Sequence, residues 1–279
     1  MILASLILAC AGPAGDVESH TPLPTPRLLR RISLDLRGTL PDVADLDRVE
    51  ADPTQLDALV TDYLGDPLLE SRLVHLFHQS WHMRIDNFNT TRHGLGISTE
   101  DEIRFERSVG EEPLRLMARV VADDLPWTDV VTADWTMANA MLLDLYPLES
   151  VATDSGEDDE WQPARYTDGR PAAGVLSTNG LWWRYPTSQF NRNRGRAAAL
   201  SRLLLCFDYL TLPVSFEGVS GLEDAAGIES AVRNDPACIT CHASLDPVAA
   251  TLFGFWWVES LHPDAVSYTH LTLPTICSV

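Results

Sequence analysis

The sequence predicts an all-α protein, with a helical N-terminal region followed by a smaller helical module. Three observations carry that expectation: apolar residues recur at the 3.6-residue spacing of a helix, Pro and Gly punctuate those blocks, and strand-like alternation is scarce. With 279 residues, 45% hydrophobic and 22% charged, the chain is long enough for one large core or two modest ones.

The elements follow in chain order. Pro26 can occupy a first helical position, after which Leu28, Leu29, Ile32 and Leu36 share one face until Gly38 stops the run. Leu56, Leu59, Val60, Tyr63 and Leu64 repeat the spacing up to Gly65. Asp66 and Pro67 read as the cap and first residue of a longer helix carrying Leu69, Leu73, Leu76, Phe77 and Trp81. Ser98 or Thr99, with Glu102 after it, marks another start. Pro113 is expected to open a separate amphipathic run through Leu116, Met117, Val120 and Val121, and Asp134 to cap a helix from Trp135 to Tyr146. The last long helix is expected over residues 194–210, with Leu200, Leu203, Leu204 and Phe207 on one side and Cys206 as a free, small buried apolar residue. Between these blocks, residues 154–160 hold five acids in seven positions, in an order that does not follow the ligand spacing of a calcium loop. The stretch reads as a solvated acidic linker over 151–173, dividing a helical domain at 26–150 from a module at 174–265.

Charge narrows the partners. Forty acidic residues against twenty basic ones give a net charge of −20, which argues against a nucleic-acid partner, since phosphate backbones need a basic face. All twenty basic residues are Arg, so lysine Schiff-base chemistry and a P-loop lysine are absent. The first ten residues, MILASLILAC, resemble the apolar region and lipobox of a bacterial lipoprotein signal, with Cys10 as the residue to be lipidated and 11–25 as a linker. Export to the periplasm or outer membrane, with attachment to the membrane through that lipid anchor, is the expectation. At the other end, Val266–Thr275, VSYTHLTLPT, resembles the translation of a sequencing adapter, so residues 266–279, His270 and Cys277 included, are expected to carry no role.

The chemistry-bearing string is Cys238-Ile239-Thr240-Cys241-His242. C-x-x-C-H is the attachment pattern of c-type haem: two thiols add across the vinyl groups and the adjacent imidazole meets the iron. Half of a zinc site would need a second Cys or His pair, and a redox dithiol would need a surrounding βαβ pattern. A plain disulfide across two residues is uncommon. Pro236 places the motif on the first turns of a helix that Asp246-Pro247 is expected to end. His75, His78 and His82 are spaced by three and four, so their rings could share a face; without the Glu of an H-E-x-x-H pattern, a packed helix is the better reading than a metal centre.

Several further segments carry a family resemblance. Arg30–Gly38 with Leu40-Pro41, Leu125–Thr128, Thr132–Thr136, Gly174-Val175-Leu176, Thr187-Ser188 and Arg194-Gly195-Arg196, in this order before the C-x-x-C-H string, resemble planctomycete-type and myxobacterial-type exported c-type cytochrome proteins. In those proteins helical domains of unknown function precede a haem module, and the likeness covers most of residues 26–262. It implies a cytochrome c-like module carrying haem c on Cys238 and Cys241, with His242 as proximal iron ligand. The family's own reaction is not established; electron transfer at the cell envelope with a redox partner, rather than catalysis, is the expectation for such a haem module. The chain departs from the pattern at Val248-Ala249, where a Gly is usual after Asp-Pro, and no Met follows His242. Met117, Met137, Met141 and His262 are then the remaining candidates for a distal ligand. Trp182, Trp183, Phe253, Phe255, Trp256 and Trp257 could wall the haem or form core. Two other readings stay open: a surface-anchored binding or scaffold lipoprotein whose tryptophans stack on polysaccharide, and a haem enzyme with an open iron site.

Overall fold

A computed structural model describes residues 22–84, 96–151, 160–187 and 191–255. The expected signal at 1–10, Cys10, the acidic stretch 152–159, Trp256, Trp257, His262 and the segment 266–279 lie outside the described residues.

Three of the N-terminal helices form where the apolar spacing places them, and a fourth, over 43–51, carries no expectation from the sequence. Helix α1 (Thr25–Leu36) starts with a proline in its first turn, α2 (Val43–Ala51) follows, and α3 (Leu56–Leu64) and α4 (Leu68–Trp81) end at Gly65 and His82. Asp66 Oδ1 accepts from the Leu68 amide at 2.9 Å, the cap read from the sequence. Leu29, Val49, Leu59, Tyr63, Leu73 and Val74 are buried together in the main core. Across that face Tyr63 donates to Asp45 Oδ2 at 2.7 Å, while the Arg37 guanidinium lies 4.4 Å from the centre of the Tyr63 ring.

Against α4 packs α5, a single 21-residue helix from Glu102 to Ala122. Pro113 therefore does not open a new helix, contrary to the expectation from sequence. A proline inside a helix has no N–H for the carbonyl four residues back, here Val109, and crowds it. The surrounding packing makes this tolerable: Phe105, Val109, Leu114, Leu116 and Met117 are fully buried, and Gly180 lies directly against the Val109 carbonyl. A Cβ at Gly180 would stand 2.0 Å from that oxygen.

Downstream the protein departs from all-α. After α6 (Asp129–Thr132), the span expected as one helix from Trp135 to Tyr146 is strand β1 (Thr136–Ala138) and a short helix α7 (Ala140–Leu145). The cap is Asn139, whose Oδ1 accepts from the Leu142 amide at 3.1 Å, and not Asp134. Strands β2 (Leu148–Ser150) and β3 (Gln162–Tyr166) complete an antiparallel sheet in the order β1-β3-β2, with Met137 opposite Pro163 and Glu149 opposite Arg165. The protein is thus mostly helical with a small three-stranded sheet, and the segment 151–173, expected as a linker, contains the central strand.

Helix α8 (Asn179–Arg184) returns to α5, and α9 (Arg194–Leu204), α10 (Ala225–Asn234) and α11 (Pro236–Thr251) follow. Arg196 joins these parts. It is 2% exposed and donates to the carbonyls of Tyr185 (2.7 Å), Trp182 (3.2 Å) and Phe255 (2.6 Å) and to Asn193 Oδ1 (3.1 Å). Burial pushes its pKa down to about 9, so the guanidinium is still charged at neutral pH. Helix α9 stops at Leu204, short of the expected 210. There Ser201 Oγ donates to the Phe207 carbonyl at 2.8 Å and the chain turns through Cys206 at φ 54. Cys206 is therefore exposed and outside the helix, and its sulfur is disulfide-bonded rather than a free buried thiol. Among the described residues no helix is long and apolar enough to cross a membrane.

The contact at Gly180 makes a sharp expectation. Gly180→Ala should destabilise the protein by about 1–3 kcal/mol, because the neighbour that must move is backbone, whereas Gly65→Ala, whose nearest atom would be at 3.6 Å, should change stability by less than about 0.5 kcal/mol. Chemical denaturation of the two variants measures this; equal effects would show that the Val109–Gly180 approach is not tight.

Candidate functional site

Helix α11 carries the C-x-x-C-H string on its opening turns. Asp235 Oδ1 caps it by accepting from the Ala237 amide at 2.9 Å, and Pro236 takes the first helical position as the sequence predicts. Cys238 and Cys241, one turn apart, share a face. Cys238 is buried, Cys241 half-buried, and neither is in a disulfide. Burial pushes the Cys238 thiol above its ordinary value, with the nearby Asp235 carboxylate acting in the same direction. Cys238, Cys241 and His242 are thus brought onto one end of a helix, the first buried and the other two half-buried.

The helix does not end at Pro247, as expected, but runs through it to Thr251. The reason is tertiary. Leu245 and Ala249, on either side of the proline, are buried against Ala197 of α9, and Asn193 Nδ2 donates to the Leu252 carbonyl at 3.1 Å. Asp246 is anchored from two directions: Arg194 reaches both its oxygens at 2.8 Å, and His242 Nδ1 lies 2.9 Å from Oδ1. Burial opposes ionisation of Asp246, but the hydrogen bonds from Arg194 and His242 outweigh it and hold the carboxyl below its ordinary value.

Exposed apolar side chains are frequent in the segments leading into and along α11. Leu205 is 70% and Leu210 87% exposed, and Phe207, Phe216, Ile228 and Ile239 are also exposed. Tyr209 hydrogen-bonds Ser244 of α11 at 2.9 Å and meets the Phe207 ring edge-on at 4.9 Å. This region has a small core of its own, limited to Ala197, Leu245 and Ala249 with Ala198 and Tyr209 packed beside them.

Other candidates are placed differently. Trp182 is 1% exposed, donates to the Leu176 carbonyl at 2.9 Å and packs on Phe255 with ring centres 5.3 Å apart, so both are core side chains and Trp182 is no surface platform for sugars. Met117 and Met137 are fully buried in the main core. The three histidines do not converge: α4 ends at Trp81, His82 turns into the left-handed region at φ 52, His78 Nδ1 accepts from the Arg84 amide at 3.2 Å, and His75 lies 3.4 Å from Gln79. Among the described residues no three His, Cys, Asp or Glu side chains gather as a metal-ligand group.

A cavity of about 190 Å³ lies elsewhere, between β1, β3 and the segment before α8, with Asp134, Thr136, Arg165, Tyr166 and Arg170 in its wall. Behind it sits a buried polar cluster. Glu112 of α5 accepts at Oε1 from Thr136 Oγ1 (2.9 Å) and Tyr166 OH (2.8 Å), while its Oε2 has no hydrogen-bond partner among the described residues. Arg170 stacks 3.5 Å over the Tyr166 ring, pairs with Asp168 at 2.7 Å and donates to Asn179 Oδ1 at 2.9 Å.

Residues 27–148 match a family described as a protein of unknown function (DUF1592). The match ends before β2 closes, so it spans the N-terminal helices, α5 and the first strand, and does not reach α11. No curated protein and no solved structure matches the chain.

Sequence reading missed two features of these sites. Asp246 was legible only as a helix-ending Asp-Pro, although its four-residue spacing from His242 is the signal that pairs them. Glu112, one residue before Pro113, gave no pattern-level sign of burial.

Glu112 makes pH dependence testable. Burial pushes its pKa up to about 7 against the opposing pull of Tyr166, Thr136 and Arg170, from an ordinary 4.5. The folded state therefore binds more protons than the unfolded between these values. The sign follows: this contribution is fully present below 4.5 and is lost as pH rises through about 7, on the order of 3 kcal/mol in all. Denaturation midpoints measured from pH 4 to 8 should show that decline in the parent and a flatter profile in Glu112→Gln; parallel profiles would rule Glu112 out as its source.

Proposed function

We propose that this is an exported c-type haem protein that carries electrons at the cell envelope, with haem c bound through Cys238 and Cys241 and its iron through His242. The observation that carries the reading is the set of groups on α11: two free thiols one turn apart, followed at once by an imidazole whose Nδ1 is already engaged by Asp246. The donor set fits the group. The thiols lie one turn apart on one face for two thioether bonds, and Nε2 is the imidazole nitrogen left for a metal. The bound haem would supply a one-electron couple.

The chain's own residues do the holding. Asp235 and Pro236 start the helix so that the motif's first turn is fixed, Leu245 and Ala249 seat it on α9, and Asp246 orients His242. The likeness over residues 27–148 supports the reading indirectly, because that family is often found in cytochrome c-containing proteins. Export, a lipid anchor at Cys10 and a redox partner at the periplasm or outer membrane belong to the same proposal, since covalent haem attachment is completed outside the cytoplasm.

Production of the full chain with haem-attachment machinery tests it. A c-type band in the reduced-minus-oxidised spectrum and a mass increase of one haem that survives denaturation are expected, and Cys238→Ser with Cys241→Ser should abolish the covalent increment. An unmodified mass with no such band would overturn the assignment. Carbon monoxide binding to the reduced protein would mark an open iron site and move the function from carrier toward catalyst.

A further inference from the structure

His242 and Asp246 stand four residues apart on α11, with Nδ1 2.9 Å from Oδ1. Arg194, on a different helix, holds the same carboxylate with Nε on Oδ1 and Nη2 on Oδ2, each at 2.8 Å. A side chain on α11 alone could swing through its rotamers; this one is pinned from α9, and α9 is itself pinned by the buried Arg196 two residues on. A histidine that binds metal through one nitrogen commonly donates its other N–H to a carboxylate, and that partner fixes the tautomer, the ring orientation and the basicity of the ligand.

We propose that Asp246 is the positioning residue for His242 and that Arg194 tunes it, so that the two set the reduction potential of the iron from opposite sides. The inference rests on the haem reading above. Asp246 keeps the imidazole proton on Nδ1 and leaves Nε2 as the ligand atom. Its negative charge, passed through the imidazole, stabilises the oxidised iron, which carries one more positive charge than the reduced. The Arg194 guanidinium cancels part of that charge. The sequence separates the two roles, since Asp246 lies on the motif helix and Arg194 fifty-two residues upstream.

The opposite signs make the test specific. In the full chain with haem attached, Asp246→Asn should raise the midpoint potential, because the amide can still accept from Nδ1 but carries no charge. Arg194→Gln should lower it, because Asp246 then acts unopposed. The hyperfine-shifted NMR resonances of the His242 ring in the oxidised protein should also move in Asp246→Asn, while the opposite signs of the two potential shifts are what a purely structural role would not produce. Haem present in all three proteins with unchanged potentials, or with both variants shifted the same way, would overturn the proposal. Should Asp246→Asn fail to mature, Arg194→Gln decides alone: a lower potential supports the pairing, an equal or higher one refutes it. If the parent chain carries no haem, the functional reading fails first, and the absent spectral band distinguishes that result.

Discussion

A charged guanidinium held inside the protein, with oxygen acceptors in place of a carboxylate, is the constraint on which the geometry of the C-terminal half depends. Arg196 has no ion-pair partner among the described residues; three backbone carbonyls and one amide oxygen take its donors. Charge buried in this way is costly unless every donor is met, and each acceptor left unpaired by its loss would forfeit about 1–3 kcal/mol. The acceptors come from α8, from the turn into α9 and from the short turn after α11. Satisfying one side chain therefore ties together three segments that also meet in the main core, where Trp182 packs on Phe255.

From that clamp the structure can be followed outward in both directions. Toward the N-terminal region, Trp182 and Gly180 press α8 onto α5, where the Val109 carbonyl bypassed by Pro113 lies against the Gly180 backbone. Toward the motif, Asn193, Arg194 and Ala197 on the opening turns of α9 grip α11 at Leu252, Asp246 and Leu245. His242 thus receives its orientation through a chain of polar contacts and not from a hydrophobic core, of which this region has little.

Two prolines show how packing overrides a local rule. Pro113 and Pro247 each read as a helix boundary, because each removes one intrahelical bond. In both cases the flanking residues are buried against another helix, and the packing energy of a turn on each side exceeds the loss of one bond. The sheet was hidden for a related reason. Its strands are three, three and five residues long, too short for alternation to register, and the central one contains Pro163, which argues against a central strand. Cys206 falls outside the expected helix because apolar spacing continues to Phe207, although the helix has already ended at Leu204 and the backbone turns at Cys206.

By itself the sequence determined the helices over 25–36, 56–64 and 68–81, the cap at Asp66, and the placing of Cys238, Cys241 and His242 on the opening turns of a helix begun by Pro236. These depend on spacing and on side-chain-to-backbone bonds within a few residues, which local chemistry specifies. Only the tertiary structure decided that α5 and α11 run through their prolines, that Tyr166 and Thr136 meet a buried Glu112, and that Arg194 and Asp246 meet across fifty-two residues to orient His242. Such contacts join residues distant in the chain, and their energy comes from burial and from the pairing of desolvated polar groups, neither of which leaves a periodic trace in the order of amino acids.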